Sequence, residues 1–376
     1  MHELVAVVAR GSDAFVATLR RVWDAGDAVL PLDPRLPAPA AEALLAALAP
    51  SALVDPTDGE RHVRAGGRPV EPGDALVVAT SGTTGTPKGA VLTHGAIAAS
   101  AEATSARLDV EPATDRWLAC LPLAHVGGLS VVTRALHTGT PLTVLPAPDP
   151  AAVEQAVRGG GATLVSLVAT ALARLDASAF RAVVLGGAAP PAGLPANAHT
   201  TWGMTETGSG VIYDRRPLDG VELAVVDGEL HVRGPMLARA YRDGTATLDA
   251  EGWLRTGDAA TIEADGRLRV AGRMGDVIVT GAEMVWPEPV EAVLRTAPGV
   301  AAVAVAGRPD PEWGHAVVAW VVPTNPAAPP TLAELRAAVK AVLSPWAAPR
   351  RLVVVAALPL TALDKVRRSE LPDPPA

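Results

Sequence analysis

Thr80-Ser81-Gly82-Thr83-Thr84-Gly85-Thr86-Pro87-Lys88-Gly89 is the stretch around which the rest of the sequence organises itself. It follows a short apolar run, residues 75–80, which reads as a buried strand. Glycines let a chain turn tightly enough for its N–H groups to point at an anion. The hydroxyls of Thr80, Ser81, Thr83 and Thr84 add donors, and Lys88 adds a full positive charge. A strand, a glycine-rich turn and a lysine in this order make a cradle for the β- and γ-phosphates of a nucleotide. The order G-x-x-x-x-G-K-[ST] is absent, so the turn is not a Walker A loop.

Outward from this loop, strands and helices alternate. Thr93 is placed to cap a helix over residues 95–108. Residues 116–121 and 181–185 read as strands and residues 151–158 as a helix. The alternation predicts an α/β core with parallel strands. After Tyr213 the pattern turns β-rich. Residues 221–233 read as two strands around Asp227-Gly228, and residues 261–270 repeat this around Asp265-Gly266. Gly272-Arg273-Met274-Gly275-Asp276 reads as a junction. Beyond it, helices at 288–296 and 332–343 and strands at 300–307, 315–322 and 351–357 predict a compact α+β unit of roughly 100 residues. The expected domains are therefore 1–272 and 273–376.

Bulk properties narrow the class. A chain of 376 residues suits two domains, and 49% apolar with 19% charged residues suits packed cores. The net charge of -8 and the absence of a basic run argue against a nucleic-acid partner. The single cysteine, Cys120, excludes a disulfide within the chain and fits a reducing compartment. Residues 1–10 lack a basic n-region and read as a strand, and no apolar run is long enough to span a bilayer. A cytoplasmic protein without a membrane partner is expected. Only three lysines occur, Lys88, Lys340 and Lys365, among 32 basic residues. A lysine kept in so arginine-rich a chain marks a place that needs a compact ammonium on a flexible stem.

The loop around Lys88 resembles the phosphate-binding loop of the adenylate-forming superfamily, which includes acyl-CoA synthetases, peptide-synthetase adenylation domains and luciferases. Further segments match in the family's order. Leu121-Pro122-Leu123-Ala124-His125-Val126-Gly127-Gly128-Leu129 resembles the acyl-pocket motif, and Val184-Leu185-Gly186-Gly187-Ala188 the strand and turn beside the adenine. Trp202-Gly203-Met204-Thr205-Glu206-Thr207 resembles the adenine and metal motif, and Trp253-Leu254-Arg255-Thr256-Gly257-Asp258 the ribose motif. Gly272-Arg273 opens the hinge motif, and Pro359-Leu360-Thr361-Ala362-Leu363-Asp364-Lys365 resembles the C-terminal lysine motif.

The resemblance implies a large N-terminal domain of αβαβα-type layers with a small β subdomain, and a small mobile C-terminal domain. It implies ATP held by Thr80, Ser81, Gly82, Thr83, Thr84, Gly85 and Lys88, with Gly186, Gly187, Ala188, Trp202, Gly203 and Met204 around the adenine. Asp258 and Arg273 would meet the ribose. Glu206, with Thr205 beside it, would take Mg²⁺ shared with the phosphates. Taken alone, Glu206 reads more readily as a solvated surface residue. Gly281 would line the path of coenzyme A. His125, Gly127, Gly187 and Thr207 would line the acid pocket, although His125 reads as well as a satisfied core histidine. Lys365 would reach across the domain interface to orient the carboxylate and the α-phosphate.

The implied reaction is activation of a small carboxylic acid as its acyl-adenylate, followed by transfer to the CoA thiol. The late start of the first motif and the segment 208–223 are similar to the o-succinylbenzoate–CoA ligases of menaquinone biosynthesis, especially the short actinobacterial type. That acid has a second carboxylate, so a cation is expected in its pocket. Arg134 is the candidate, with a surface arginine on a helix as the alternative. Ligation of another aryl or short-chain acid, and a binding module without turnover, remain open at this level. So does the choice between a monomer and a homodimer.

Overall fold

The computed structural model describes residues 2–80, 87–187, 190–191, 193–280, 283–360 and 366–374. Its chain divides into two compact units, Met1–Ala224 with His231–Arg255, and Val225–Leu230 with Thr256–Ala376.

Two seven-stranded sheets carry the first unit. The strands of one lie in the order Ala240–Tyr241, Lys88–Thr93, Asp74–Thr80, Ala28–Leu32, Leu4–Val8, Ala52–Val54 and Arg61–Val63. Leu4–Val8 runs parallel to Ala28–Leu32 and to Ala52–Val54, with helices Asp13–Asp24 and Ala38–Leu48 as the crossovers. Asp74–Thr80 and Lys88–Thr93 run antiparallel instead, with Thr80 opposite Lys88. The expectation of parallel strands fails here for a simple reason. A connection of seven residues is too short for a crossover, which needs about a dozen. In the second sheet Ala198–Gly203, Ala182–Leu185, Leu164–Leu167, Trp117–Ala119 and Leu142–Val144 are parallel, and Gly210–Tyr213 and Arg216–Pro217 extend it antiparallel. Its core packs Leu118, Val165 and Val183, all fully buried, against Val153 and Phe180.

Local chemistry sets the helix starts. Thr93 accepts a hydrogen bond from the Ala96 N–H at 3.1 Å, so helix His94–Arg107 begins where the cap was expected. Asp149 caps Pro150–Arg158 in the same way through Ala152 N–H, at 2.9 Å. Helix Val126–Thr138 starts at His125 without a side-chain cap. Its first turn needs Gly128, where a Cβ would lie 2.5 and 2.6 Å from the carbonyl oxygens of Leu121 and Pro122.

In the second unit Leu254–Ile262 pairs antiparallel with Leu268–Arg273. A five-stranded sheet joins Glu283–Val285, Ile278–Thr280, Gly314–Pro323 and Val300–Asp310, with Arg351–Val354 parallel to Gly314–Pro323. Helices Pro287–Leu294 and Leu332–Val342 contribute Val290, Leu294, Leu335 and Val339 to a core with Val305 and Val317. The junction at Gly272 is regular rather than loose. Gly272 and Arg273 finish a strand, and Met274–Asp276 makes one 3₁₀ turn. Gly272 has φ +140°, and a side chain there would run into the Glu288 carboxylate. Among the described residues, no helix is long and apolar enough to cross a membrane.

Candidate active site

Open parallel sheets place ligands beyond the carboxyl ends of their strands. In the second sheet those ends carry much of what the motifs singled out. Gly186 and Gly187 follow Ala182–Leu185 directly. Trp202 and Gly203 finish Ala198–Gly203, and the half-buried Met204 leads into the 3₁₀ turn Thr205–Thr207. His125 comes six residues after the end of Trp117–Ala119. Three sequence-distant motifs thus share one edge of one sheet.

Glu206 is buried, with 6% of its surface exposed, so it is not a solvated surface residue. Its Oε1 accepts a hydrogen bond from the Tyr241 hydroxyl at 2.7 Å. Lys88 lies over the same Tyr241 ring, with Nζ 5.0 Å from the centroid. The expected phosphate lysine and the expected metal carboxylate therefore flank one tyrosine. Thr80 and Lys88 form the two rims of the loop between their strands, joined by a 3.4 Å bond from the Thr80 hydroxyl to the Lys88 carbonyl. Ser81, Gly82, Thr83, Thr84 and Gly85 lie outside the described residues, as do Ala188, Gly281 and Lys365.

A magnesium ion that bridges nucleotide phosphates needs only one or two protein carboxylates, because the phosphates and waters complete its octahedron. Glu206, a buried hard-oxygen donor beside Lys88, fits that role. No cluster of three or more metal-ligating side chains exists among the described residues.

The acid-pocket candidates fare unequally. A Cβ at Gly127 would meet only Leu121 Cδ1 at 3.8 Å, so packing does not demand this glycine and the space beside it is open. Thr207 is fully buried, and its hydroxyl is committed to its own turn through the Met204 and Ser209 carbonyls and the Met204 N–H. It shapes the site through the backbone. His125 Nε2 lies 3.5 Å from Asp33 Oδ2, at the carboxyl end of the Ala28–Leu32 strand. Burial alone would raise the Asp33 pKa, but hydrogen bonds from Arg35 and the nearby His125 hold it below the usual carboxylate range.

Arg134 is not a surface arginine. It sits in helix Val126–Thr138 with 2% exposure, its guanidinium 4.7 Å from the Trp117 ring. Nη2 makes a long bond of 3.4 Å to the Ser209 hydroxyl, while Nε and Nη1 are buried without a partner among the described residues. Burial pushes its pKa down from the ordinary arginine value. It lines a small cavity of about 10 Å³, about the room of one water, with Ser130 and Thr133 among mostly apolar neighbours such as Leu76, Leu129 and Met236. Cys120, one position after the same strand as Trp117, is 1% exposed. Burial pushes its thiol up to about 12, so it is no nucleophile.

In the second unit, Asp258 and Arg273 stand opposite each other across paired strands, with Arg273 Nε 3.0 Å from Asp258 Oδ1. Arg273 also donates to the Thr256 carbonyl at 2.8 Å, and the Asp258 N–H donates to the Thr256 hydroxyl at 3.0 Å. A buried carboxylate held this firmly presents oxygens of fixed position, as recognition of a vicinal diol requires. Residues 361–365 lie outside the described residues, and their described neighbours pair with one another. Leu360 bridges Val366, and the Arg367 N–H donates to the Pro359 carbonyl at 2.9 Å.

Tyr241, Ser209 and Asp33 belong to this constellation without having been singled out in the sequence. The signal for Asp33 was the end of a buried strand. Tyr241 and Ser209 had none, because only strand pairing and helix packing bring them to Glu206 and Arg134.

Residues 58–242 match the AMP-binding enzyme family and residues 289–365 the AMP-binding enzyme C-terminal domain. The chain belongs to this family, whose members bind ATP and activate carboxylates as adenylates. A probable 2-succinylbenzoate–CoA ligase of Mycobacterium tuberculosis is 38% identical over 360 residues, covering 89% of this chain and 93% of the relative. A 2-succinylbenzoate–CoA ligase of Bacillus cytotoxicus is 33% identical over 78% of this chain and 69% of its own length. Among solved structures, o-succinylbenzoate CoA synthetase from Bacillus subtilis with its acyl-adenylate intermediate aligns with TM-score 0.81 and 25% identity, covering 99% of this chain and 88% of that one. An amide bond synthetase from Marinactinospora thermotolerans aligns with TM-score 0.84 and 27% identity over 98% and 89%. Overall shape alone does not select the acceptor.

Proposed function

We propose that the chain is an AMP-forming acid–thiol ligase that converts o-succinylbenzoate to its CoA thioester. A carboxylate is a poor acyl donor because its leaving group would be oxide. One carboxylate oxygen attacks the α-phosphorus of ATP, the bond to the β-phosphate oxygen breaks, and pyrophosphate leaves. The CoA thiol then attacks the acyl carbon, loses its proton, and AMP departs. Lys88 and the loop beside it would neutralise phosphate charge, and Glu206 would hold a Mg²⁺ ion, which would supply Lewis-acid charge stabilisation. Asp258 and Arg273 take the ribose. His125 and Gly127 border the acid. Lys365 serves the first step, and movement of a C-terminal domain beginning at 273 gives CoA its turn at the same centre.

What carries the choice of acid is Arg134. A guanidinium buried with two unpaired nitrogens is costly unless something anionic meets it, and a dicarboxylate brings such a group. Ser209 completes the clamp. The relatives named for 2-succinylbenzoate support the same choice. Pyrophosphate release across a carboxylate panel, with hydroxylamine trapping of the acyl-adenylate, tests it. Release with o-succinylbenzoate and not with benzoates is expected. Preference for simple benzoates or short-chain acids rejects this acid, and silence with every acid points to a binding module.

A further inference from the structure

We propose that Tyr241 is a positioning residue that orients Glu206 toward the metal–phosphate complex and keeps Lys88 away from it until nucleotide arrives. The inference rests on the proposed roles of Lys88 and Glu206 and adds a third residue to them. Strand pairing explains its place. Ala240–Tyr241 runs antiparallel to Lys88–Thr93 with Tyr241 opposite Ala90. Residues 88 and 90 share a face, so Tyr241 and Lys88 are diagonal neighbours on one side of the sheet. The same segment is tied to the metal motif twice. The Ala238 N–H donates to the Glu206 carbonyl at 2.7 Å, and the Tyr241 hydroxyl donates to Glu206 Oε1 at 2.7 Å.

The chemistry of the donor matters. A phenol fixes the carboxylate's orientation and leaves its negative charge intact, whereas a lysine or arginine would cancel the charge a cation needs. Hydrogen-bonded neighbours of metal-binding carboxylates act in this way. The ring has a second task. Lys88 rests on its face, a favourable place for an ammonium, and among the described residues no ion pair joins Lys88 to Glu206. Two opposite charges that must both face phosphate are thus held apart.

Titration calorimetry with ATP, in Mg²⁺ and in EDTA, tests this on the full chain carrying Tyr241→Phe, Tyr241→Leu or Glu206→Gln. Tyr241→Phe keeps the ring and loses the hydroxyl. Its affinity for ATP in Mg²⁺ should fall about tenfold, with the affinity in EDTA unchanged. Tyr241→Leu should lose affinity in both conditions, because Lys88 is then free to pair with Glu206. In a Glu206→Gln background, Tyr241→Phe should have no further effect. Equal losses in Mg²⁺ and EDTA for Tyr241→Phe, no loss at all, or a full loss that persists without Glu206 would each overturn the proposal. Glu206→Gln binding Mg·ATP like the wild type would overturn the metal role of Glu206 itself, and Tyr241 with it.

Discussion

Arg134 is costly to stability. Its guanidinium is desolvated, lies over the Trp117 ring and, among the described residues, makes only a long hydrogen bond to Ser209. A buried charge without a compensating partner carries a desolvation penalty, and replacing even a buried ion pair by apolar side chains of similar volume is often neutral or stabilising by about 1–4 kcal/mol. Arg134→Met should therefore melt higher than the wild type without ligand, as scanning calorimetry reads. Its KM for o-succinylbenzoate should rise about tenfold or more, with the KM for ATP unmoved. A lower melting temperature combined with an unchanged KM for the acid would mean that the arginine is structural. This residue also marks how far sequence reading reached. Arg134 was legible as a cation near the His125 motif, but the burial that rules out a surface charge comes from helix packing. Ser209, 75 positions away, becomes its partner only in the fold.

Elements show a similar division. Helix starts with a polar cap, at Thr93 and at Thr331, lie where their local sequence places them, because capping is a contact over three residues. The strand Leu254–Ile262 begins seven residues before the stretch that reads as strand from sequence, since its first half contains the Thr256-Gly257-Asp258 motif and lacks clean alternation. Near the junction, Arg368 bonds Glu291 at 2.7 Å and Asp276 at 3.3 Å, and lies 3.6 Å from Glu288. One arginine serves three carboxylates, and Glu288 is the least well served. Its Oε2 is buried without a partner among the described residues. Burial raises its pKa above the ordinary glutamate value, and the attraction of Arg368 offsets this only in part. A carboxyl with a raised folded pKa contributes stability that is complete below its unfolded pKa and is lost as pH rises through the folded one. Glu288→Gln should thus stabilise the chain at pH 8 and matter little at pH 4. Melting curves across that range check it, and a larger gain at low pH would contradict the assignment.

For the whole molecule, the two-domain order, the α/β class and the family were legible from motifs, because each motif is short and its chemistry local. What was not legible is how those motifs meet. The antiparallel pairing at the phosphate loop, the Tyr241 link and the Asp33–His125 contact each join segments far apart in the chain or too close for a crossover. The proposed division of labour between domains belongs to this scale too. Lys365→Ala should lower acyl-adenylate formation by about a hundredfold or more, as loss of a transition-state charge partner does, while thioester formation from supplied acyl-adenylate continues. Equal loss in both half-reactions, measured by single-turnover quench, would remove the lysine from the first step.

Oxygen tracing tests carboxylate activation most directly. o-Succinylbenzoate labelled with ¹⁸O in the succinyl carboxylate, incubated with the chain, ATP, Mg²⁺ and CoA, should deliver one labelled oxygen to AMP per thioester formed, with pyrophosphate unlabelled. Label in inorganic phosphate with ADP as co-product, or thioester formed with unlabelled AMP, would contradict activation through an acyl-adenylate.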